Sequence, residues 1–178
     1  MRKALLPLAL LLIAIPAHAA DFSGQWSLDK TQSKDLPPFY EEVKAHSLKI
    51  TQDEKELVVA VEITSDAHEP LHIDFKYRLD GQPTKTESQI RTPDGPMSVP
   101  TILTAKPQDD GTLAITIERE LPSRGGETMK GSTVEKWRLQ PDGKTLIIDR
   151  VDEMRRGTTT STLIFKRDAR SSGTATQR

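Results

Sequence analysis

The stretch ELVVAVEITSDAHEPLHIDFKYRL, residues 56–79, indicates the fold class most clearly. Apolar side chains recur at every second position through both of its halves: Leu57, Val59, Val61 and Ile63, then Ile73, Phe75, Tyr77 and Leu79. A period of two indicates strands with one buried and one wet face, which pair as antiparallel sheets. The polar segment between the halves predicts a hairpin loop.

The same rhythm continues along the chain and predicts ten strands. They are Gly24–Asp29, Ser47–Gln52, Glu56–Thr64, His72–Leu79, Lys85–Thr92, Val99–Ala105, Thr112–Glu120, Ser132–Leu139, Thr145–Val151 and Thr159–Lys166. From the second strand onward the connections are shorter than the dozen or so residues that a parallel crossover needs. The sequence therefore predicts an all-β, antiparallel up-and-down fold, either a sandwich or a barrel of about eight to ten strands, and closure into a barrel would remove exposed edges.

One connection, Lys30–His46, is long enough to contain an element other than a turn. Pro37 and Pro38 suit a helix entry, and an acidic pair follows where the first turn would favour negative charge. We expect one short helix there, near the N-terminus, which covers one end of the sheet with Phe39, Tyr40 and Val43.

The chain begins with a predicted signal peptide, residues 1–19. Three residues with two basic side chains precede an apolar run over Ala4–Ile15, and Ala17-His18-Ala19 is a small-x-small cleavage signal. The run falls short of the roughly 20 residues that span a membrane, and Ala20 in place of cysteine argues against a lipid anchor. We expect a periplasmic or secreted protein without a membrane span.

The remaining chain predicts one domain and a tail. The strand rhythm extends over residues 20–167, which is the length of a single domain. Residues 168–178 are rich in Ser, Thr and Gly without apolar spacing, and we expect them to be disordered.

The composition excludes several classes of function. A formal net charge of −1, with two tryptophans, two tyrosines and four phenylalanines, does not suit nucleic acid, which requires a basic face and stacking platforms. The chain has no cysteine, so disulfides, thiol nucleophiles and thiolate metal sites are excluded. Nothing in the composition indicates the oligomeric state.

Two segments resemble secreted bacterial lipocalin-like proteins: DFSGQWSLD at residues 21–29 followed by Ser33-Lys34, and EKWRL at 135–139 with DGKTL at 142–146. The resemblance implies a calycin-type up-and-down barrel, that is, a lipocalin-like fold. It also implies that Trp26 plugs the closed end of the barrel. In lipocalins an arginine near the last strand packs over that tryptophan, a role that Arg167 or Arg150 would take here.

Charged residues fall on strand faces that should point inward. Period two places Glu135 on the same face as Trp137, and Arg150 on the inward face of the next strand. Because unpaired buried charge is unfavourable, such groups should pair or reach water. Either they are polar anchors in a ligand pocket beside Tyr77 and Trp137, or they lie at the open rim or are turned outward by a bulge. Arg119, which follows Ile117, is likewise a candidate for the barrel mouth. We select Tyr77, Glu135, Trp137 and Arg150 as candidate ligand-binding residues.

His68-Glu69-Pro70-Leu71-His72 matches the letters of a zinc-protease motif. That motif needs a helix to bring both imidazoles to one metal, and Pro70 and the flanking strands oppose a helix. We therefore predict no metal site there. No nucleophile motif or phosphate-binding loop is present, so the sequence indicates no catalytic residue and no cofactor, and an enzyme is the less favoured interpretation.

Three functions remain open from the sequence. The first is an exported barrel that binds a small, largely apolar ligand inside. The second is a non-enzymatic envelope protein that acts through surface contacts, with its interior filled by side chains. The third is an enzyme with a site at the barrel mouth. An interior void of a few hundred Å³ would favour the first.

Overall fold

The computed structural model describes residues 20–66, 68–92, 95–122, 128–155 and 157–169, which form an all-β molecule. Its strands are β1 (Gly24–Leu28), β2 (Val43–Gln52), β3 (Glu56–Ser65), β4 (Leu71–Arg78), β5 (Thr84–Thr92), β6 (Gly95–Pro107), β7 (Leu113–Pro122), β8 (Thr128–Leu139), β9 (Thr145–Met154) and β10 (Gly157–Arg167). The ten predicted strands are confirmed. Several are longer than predicted: β6 begins at Gly95 rather than Val99, and β8 at Thr128 rather than Ser132.

The two ends of the chain are described only in part. The predicted signal peptide, residues 1–19, lies outside the described residues, as do residues 170–178 of the predicted tail. Asp168 continues the last strand toward β1: its backbone N–H donates to the Gln25 carbonyl at 2.9 Å, and its carboxylate accepts from the Ser27 hydroxyl, also at 2.9 Å.

The strands follow an up-and-down order, β4-β3-β2-β1-β10-β9-β8-β7-β6-β5, and every pairing is antiparallel. The short strand β1 joins the two ends of the chain, since Trp26 lies opposite Leu48 of β2 and Arg167 of β10. The edge strands β4 and β5 are in contact but are not paired with each other. The sheet is therefore an antiparallel up-and-down barrel that is closed except along this seam.

The alternation in the strands sorts side chains to the two faces of the barrel wall. On β4, Phe75 and Tyr77 are buried, whereas His72, Asp74 and Lys76 between them are exposed. Residues of this inward set from both halves of the sheet form a single core inside the barrel, which includes Leu57, Val59, Leu103, Ile115, Leu146 and Phe165. The period-two pattern of the sequence thus determined which side chains surround the interior.

Trp26 closes one end of the barrel. Its side chain is fully buried, and its indole N–H donates to the Phe22 carbonyl at 2.9 Å. The guanidinium of Arg167 lies 4.2 Å from the centre of the indole ring, within the range of a cation–π contact. Of the two arginines considered for this role, Arg167 is therefore the one that packs on Trp26, while Arg150 lies elsewhere.

Gly24 makes the Arg167 contact possible. Its φ of +137° is a conformation that residues with a side chain rarely adopt. A Cβ at this position would lie 2.4 Å from the Arg167 Nη1 atom. The glycine two residues before the tryptophan is therefore required both by the backbone and by the close approach of the arginine.

The expected helix is shorter than predicted. Only a 3-10 turn over Pro38–Glu41 is present, and β2 begins at Val43, before the predicted start at Ser47. The extra residues of β2 pair with β3, His46 lying opposite Ile63, and this ladder satisfies more backbone groups than an isolated short helix would. Tyr40 and Val43 are buried as expected, but Phe39 is 52% exposed. No helix among the described residues is long and apolar enough to cross a membrane.

Candidate functional site

The barrel encloses a cavity of about 480 Å³. Its wall is mainly apolar, with contributions from strands on both halves of the sheet, among them Leu48, Val59, Phe75, Ile117, Leu163 and Phe165. The Trp26 end is closed, whereas residues of the 3-10 turn and of the β3–β4 hairpin line the other end. A cavity of this size and character is typical of a site for one small organic molecule.

The structure brings all four candidate residues to this cavity. Tyr77 of β4, Glu135 and Trp137 of β8 and Arg150 of β9 line it. Glu135 lies directly opposite Arg150 in the β8–β9 ladder, which runs without a register shift from Ser132 to Leu139. The carboxylate of Glu135 accepts a hydrogen bond from the Trp137 indole N–H at 2.7 Å, and its other oxygen lies 3.6 Å from Arg150 Nη1. Glu135 is only 8% exposed, so it lies inside the barrel and not at its rim.

Asp152 is a further carboxylate at this site, and it also pairs with Arg150. Arg150 donates from Nε to Asp152 Oδ2 at 2.8 Å and from Nη2 to Asp152 Oδ1 at 3.0 Å. Burial acts to lower the pKa of Arg150, but Glu135 and Asp152 together raise it above its usual value. Arg150 is therefore a guanidinium whose charge and donors are already matched by two carboxylates.

Asp152 was not predicted as a site residue, although a signal for it was present. Its inward position follows from the same alternation as Ile148 and Arg150, continued to the residue just past the predicted end of the strand at Val151. Its carboxylate also accepts from the Thr133 hydroxyl at 2.6 Å, and Thr133 is fully buried. The polar interior thus extends beyond the pair that was selected from the sequence.

Arg119 of β7 is a second guanidinium in the cavity wall. Its Nε donates to the Ser88 hydroxyl at 3.3 Å, and its Nη1 to the Thr133 hydroxyl at 3.5 Å. Ser88 in turn shares a hydrogen bond of 2.7 Å with the hydroxyl of Thr101 on the neighbouring strand. From the sequence, Arg119 was expected at the mouth; it is half-buried and faces the same interior as Trp137.

Tyr40 and His46 form a neutral pair on the other side of the cavity. The Tyr40 hydroxyl lies 3.1 Å from His46 Nδ1, the two rings stack, and the His46 ring meets Phe165 edge-on. Burial first, and Arg150 second, lower the pKa of His46 from 6.5 to about 4, so it is uncharged at neutral pH. Burial raises the pKa of Tyr40 to about 12. Both groups are therefore uncharged at neutral pH, and the tautomer of His46 sets which of the two donates the hydrogen bond.

The two histidines of the zinc-protease-like sequence do not share a site. His68 lies in the β3–β4 hairpin at the cavity mouth, 3.8 Å from the carboxylate of Glu42. His72 lies on β4 with its side chain exposed, opposite Glu62 of β3. Among the described residues, no group of three histidine or acidic side chains is arranged to hold a metal ion.

Comparison with protein-family models and with curated proteins finds no match to this chain. Among solved structures, the crystal structure of zebrafish ileal bile acid-binding protein complexed with cholic acid is similar, with a TM-score of 0.46 and 14% sequence identity. The match covers 83% of this chain and 98% of the zebrafish chain. At this identity it says nothing about the side chains that line the cavity.

Proposed function

We propose that this protein binds one small, largely apolar molecule inside its barrel. The single observation that carries the proposal is the apolar cavity of about 480 Å³. A barrel whose interior was filled by side chains, as the surface-contact function requires, would leave no such space. Burial of a ligand's apolar surface against this wall supplies the binding free energy, and the few polar groups orient the ligand.

The resemblance in sequence extends this proposal to the group of proteins to which the chain belongs and to its location. We place the protein among secreted bacterial lipocalin-like proteins. Residues 1–19 would then be a cleaved signal peptide, and the mature protein would be located in the periplasm or outside the cell. The Arg167 contact on Trp26, which that resemblance implied, supports the assignment. So does Gly24, whose missing side chain gives the arginine room.

A cavity-blocking substitution tests the function, with N-phenyl-1-naphthylamine as an uncharged apolar probe whose fluorescence rises in apolar surroundings. Val61 lines the cavity, so Val61→Phe places a larger side chain where the probe would lie. The unaltered protein is expected to bind one probe per chain with a Kd of about 1 μM, equivalent to about −8 kcal/mol. Val61→Phe is expected to weaken binding at least about tenfold, because the ring removes part of the volume that the probe needs.

Val134→Phe is the matched control. Val134 is 43% exposed on the outer face of β8, so the same change adds a ring outside the barrel and should leave probe binding unchanged. Circular dichroism and melting temperature establish that both variants are folded. Equal probe affinity in the unaltered protein and in Val61→Phe, or no saturable binding by the unaltered protein, would contradict the proposed function.

A further inference from the structure

The two interior arginines differ in what neutralises them. Arg150 faces both Glu135 and Asp152 and donates two hydrogen bonds to the latter. Arg119 is paired with no carboxylate among the described residues; its hydrogen bonds go to the hydroxyls of Ser88 and Thr133. Hydroxyl partners solvate a guanidinium but do not balance its charge. Among the described residues, Arg119 is therefore a cation in the wall of an apolar cavity that no carboxylate contacts directly.

The surroundings of Arg119 accentuate this imbalance. Burial first, and the charge of Arg150 second, lower its pKa from the usual arginine value, and the more weakly acting Tyr77, Glu135 and Asp152 only partly oppose them. An anion placed against Arg119 would offset the burial and the charge of Arg150, whereas an anion placed against Arg150 would lie beside the two carboxylates that already contact it, Glu135 and Asp152. Of the two cations, only Arg119 gains an ion pair without breaking an existing one.

The Tyr77 hydroxyl is a second free donor in the same cavity. The side chain is 2% exposed and lines the cavity, and within the described part of the chain its hydroxyl makes no hydrogen bond. Burial first, and Glu135 second, raise its pKa well above 10, so the hydroxyl keeps its proton at neutral pH. Tyr77 and Arg119 line the same cavity, and the charge of Arg119 is among those that act on this hydroxyl. Both groups offer hydrogens and would be satisfied by an acceptor.

We propose that the ligand is an amphipathic organic acid, whose carboxylate, sulfonate or sulfate group binds Arg119 and Tyr77 while its apolar body fills the cavity. The inference rests on the proposed function and narrows its ligand class. A guanidinium can bind such a group through two parallel N–H donors, and a desolvated contact of this kind is stronger than a neutral hydrogen bond. The apolar wall, which includes Phe75 and Trp137, holds the remainder of the molecule.

A pair of dyes that differ only in one anionic group tests the inference. 8-Anilinonaphthalene-1-sulfonate carries the sulfonate, and N-phenyl-1-naphthylamine is the same skeleton without it. Arg119→Gln keeps hydrogen-bonding capacity toward Ser88 and Thr133 but removes the charge. It is expected to weaken binding of the sulfonate dye about tenfold and to leave the affinity for the uncharged dye within about twofold.

Arg78→Gln is the charge-matched control, since Arg78 lies on the outer face of β4, where it pairs with Asp80. It should change neither affinity. Tyr77→Phe removes one oxygen from the cavity and is expected to weaken the sulfonate dye about threefold while sparing the uncharged dye. Arg119→Lys keeps the charge and should retain part of the preference for the sulfonate dye over the uncharged dye. If Arg119→Gln does not fold, the preference measured for Arg119→Lys is the deciding result.

The outcomes separate this inference from the function on which it rests. If Arg119→Gln leaves the sulfonate dye unaffected, or weakens both dyes equally, the anionic head group is overturned while the apolar site stands. If the folded, unaltered protein fails to bind the uncharged dye, the proposed function itself fails. A selective loss of the sulfonate dye in Arg119→Gln, absent in Arg78→Gln, supports the inference.

Discussion

Single residues close one end of the barrel interior. At the closed end, Trp26 is fully buried beneath the Arg167 guanidinium, and Phe22 links it to Trp137 through an edge-on ring contact with centroids 5.8 Å apart. The tryptophan thus forms the floor of the space in which a ligand would lie. Its removal should weaken the whole molecule, because the void left by so large a side chain cannot collapse fully.

Trp26→Ala is expected to lower the free energy of unfolding by about 3–5 kcal/mol. For a domain of this size, that corresponds to a fall in melting temperature of roughly 10 °C. Phe39→Ala is the control: Phe39 is 52% exposed, and an exposed substitution costs under about 0.5 kcal/mol. Equal melting temperatures for Trp26→Ala and the unaltered protein would show that Trp26 does not close the barrel.

For single residues, the sequence predicted which side chains point into the barrel, but it did not predict which residues pair with each other. The strand period alone predicted that Glu135 and Arg150 face inward, because one residue along a strand always reverses the face. Which carboxylate pairs with which arginine depends on cross-strand register and on side-chain reach, and neither is written in the strand period. The pairing of Asp152 with Arg150, and the absence of a carboxylate directly against Arg119 among the described residues, therefore emerged only from the folded arrangement.

At the scale of elements, the strands were predictable and the helix was not. A strand is marked by its own alternation and by the turn residues that end it, so each was visible locally. The short Pro38–Glu41 turn and the early start of β2 depend on pairing with the neighbouring strand, since β3 extends far enough to pair with Val43 and His46. This pairing forms only in the folded molecule, whereas the local sequence on its own favoured the longer helix.

The extended β2 strand carries His46 into the barrel and makes stability depend on pH. The unfolded chain protonates this imidazole near its usual pKa of 6.5, but the folded chain does so only near 4. The unfolded state therefore binds the extra proton between these values, so stability is complete above pH 6.5 and falls as the pH drops toward 4. Denaturant unfolding at pH 7 and pH 5 should show a loss of about 2 kcal/mol from this group.

His46→Gln isolates this contribution, because all other titrating groups are common to both proteins. The unaltered protein is expected to lose about 2 kcal/mol more than His46→Gln between pH 7 and pH 5. If the two proteins lose the same stability over that interval, His46 is not held neutral in the folded state.

At the scale of the whole molecule, the order of the strands explains how a chain of modest apolar content encloses a cavity. Pairing of β1 with both β2 and β10 brings the chain ends together, and contact between β4 and β5 brings the sheet edges together. Each strand then needs only one apolar face, because the barrel wall separates a shared interior from solvent. The strand pattern did not predict the interior volume, since that volume depends on how side chains from opposite walls meet.

Native mass spectrometry of the protein recovered from its own host tests most directly whether this interior binds a small molecule. The expected native mass is that of residues 20–178 plus that of one small molecule. That molecule should be released on unfolding, should carry an acidic group, and should be absent from Val61→Phe prepared in the same way. A native mass equal to that of the chain alone, or an added mass that persists in Val61→Phe, would show that the barrel interior does not bind a small molecule.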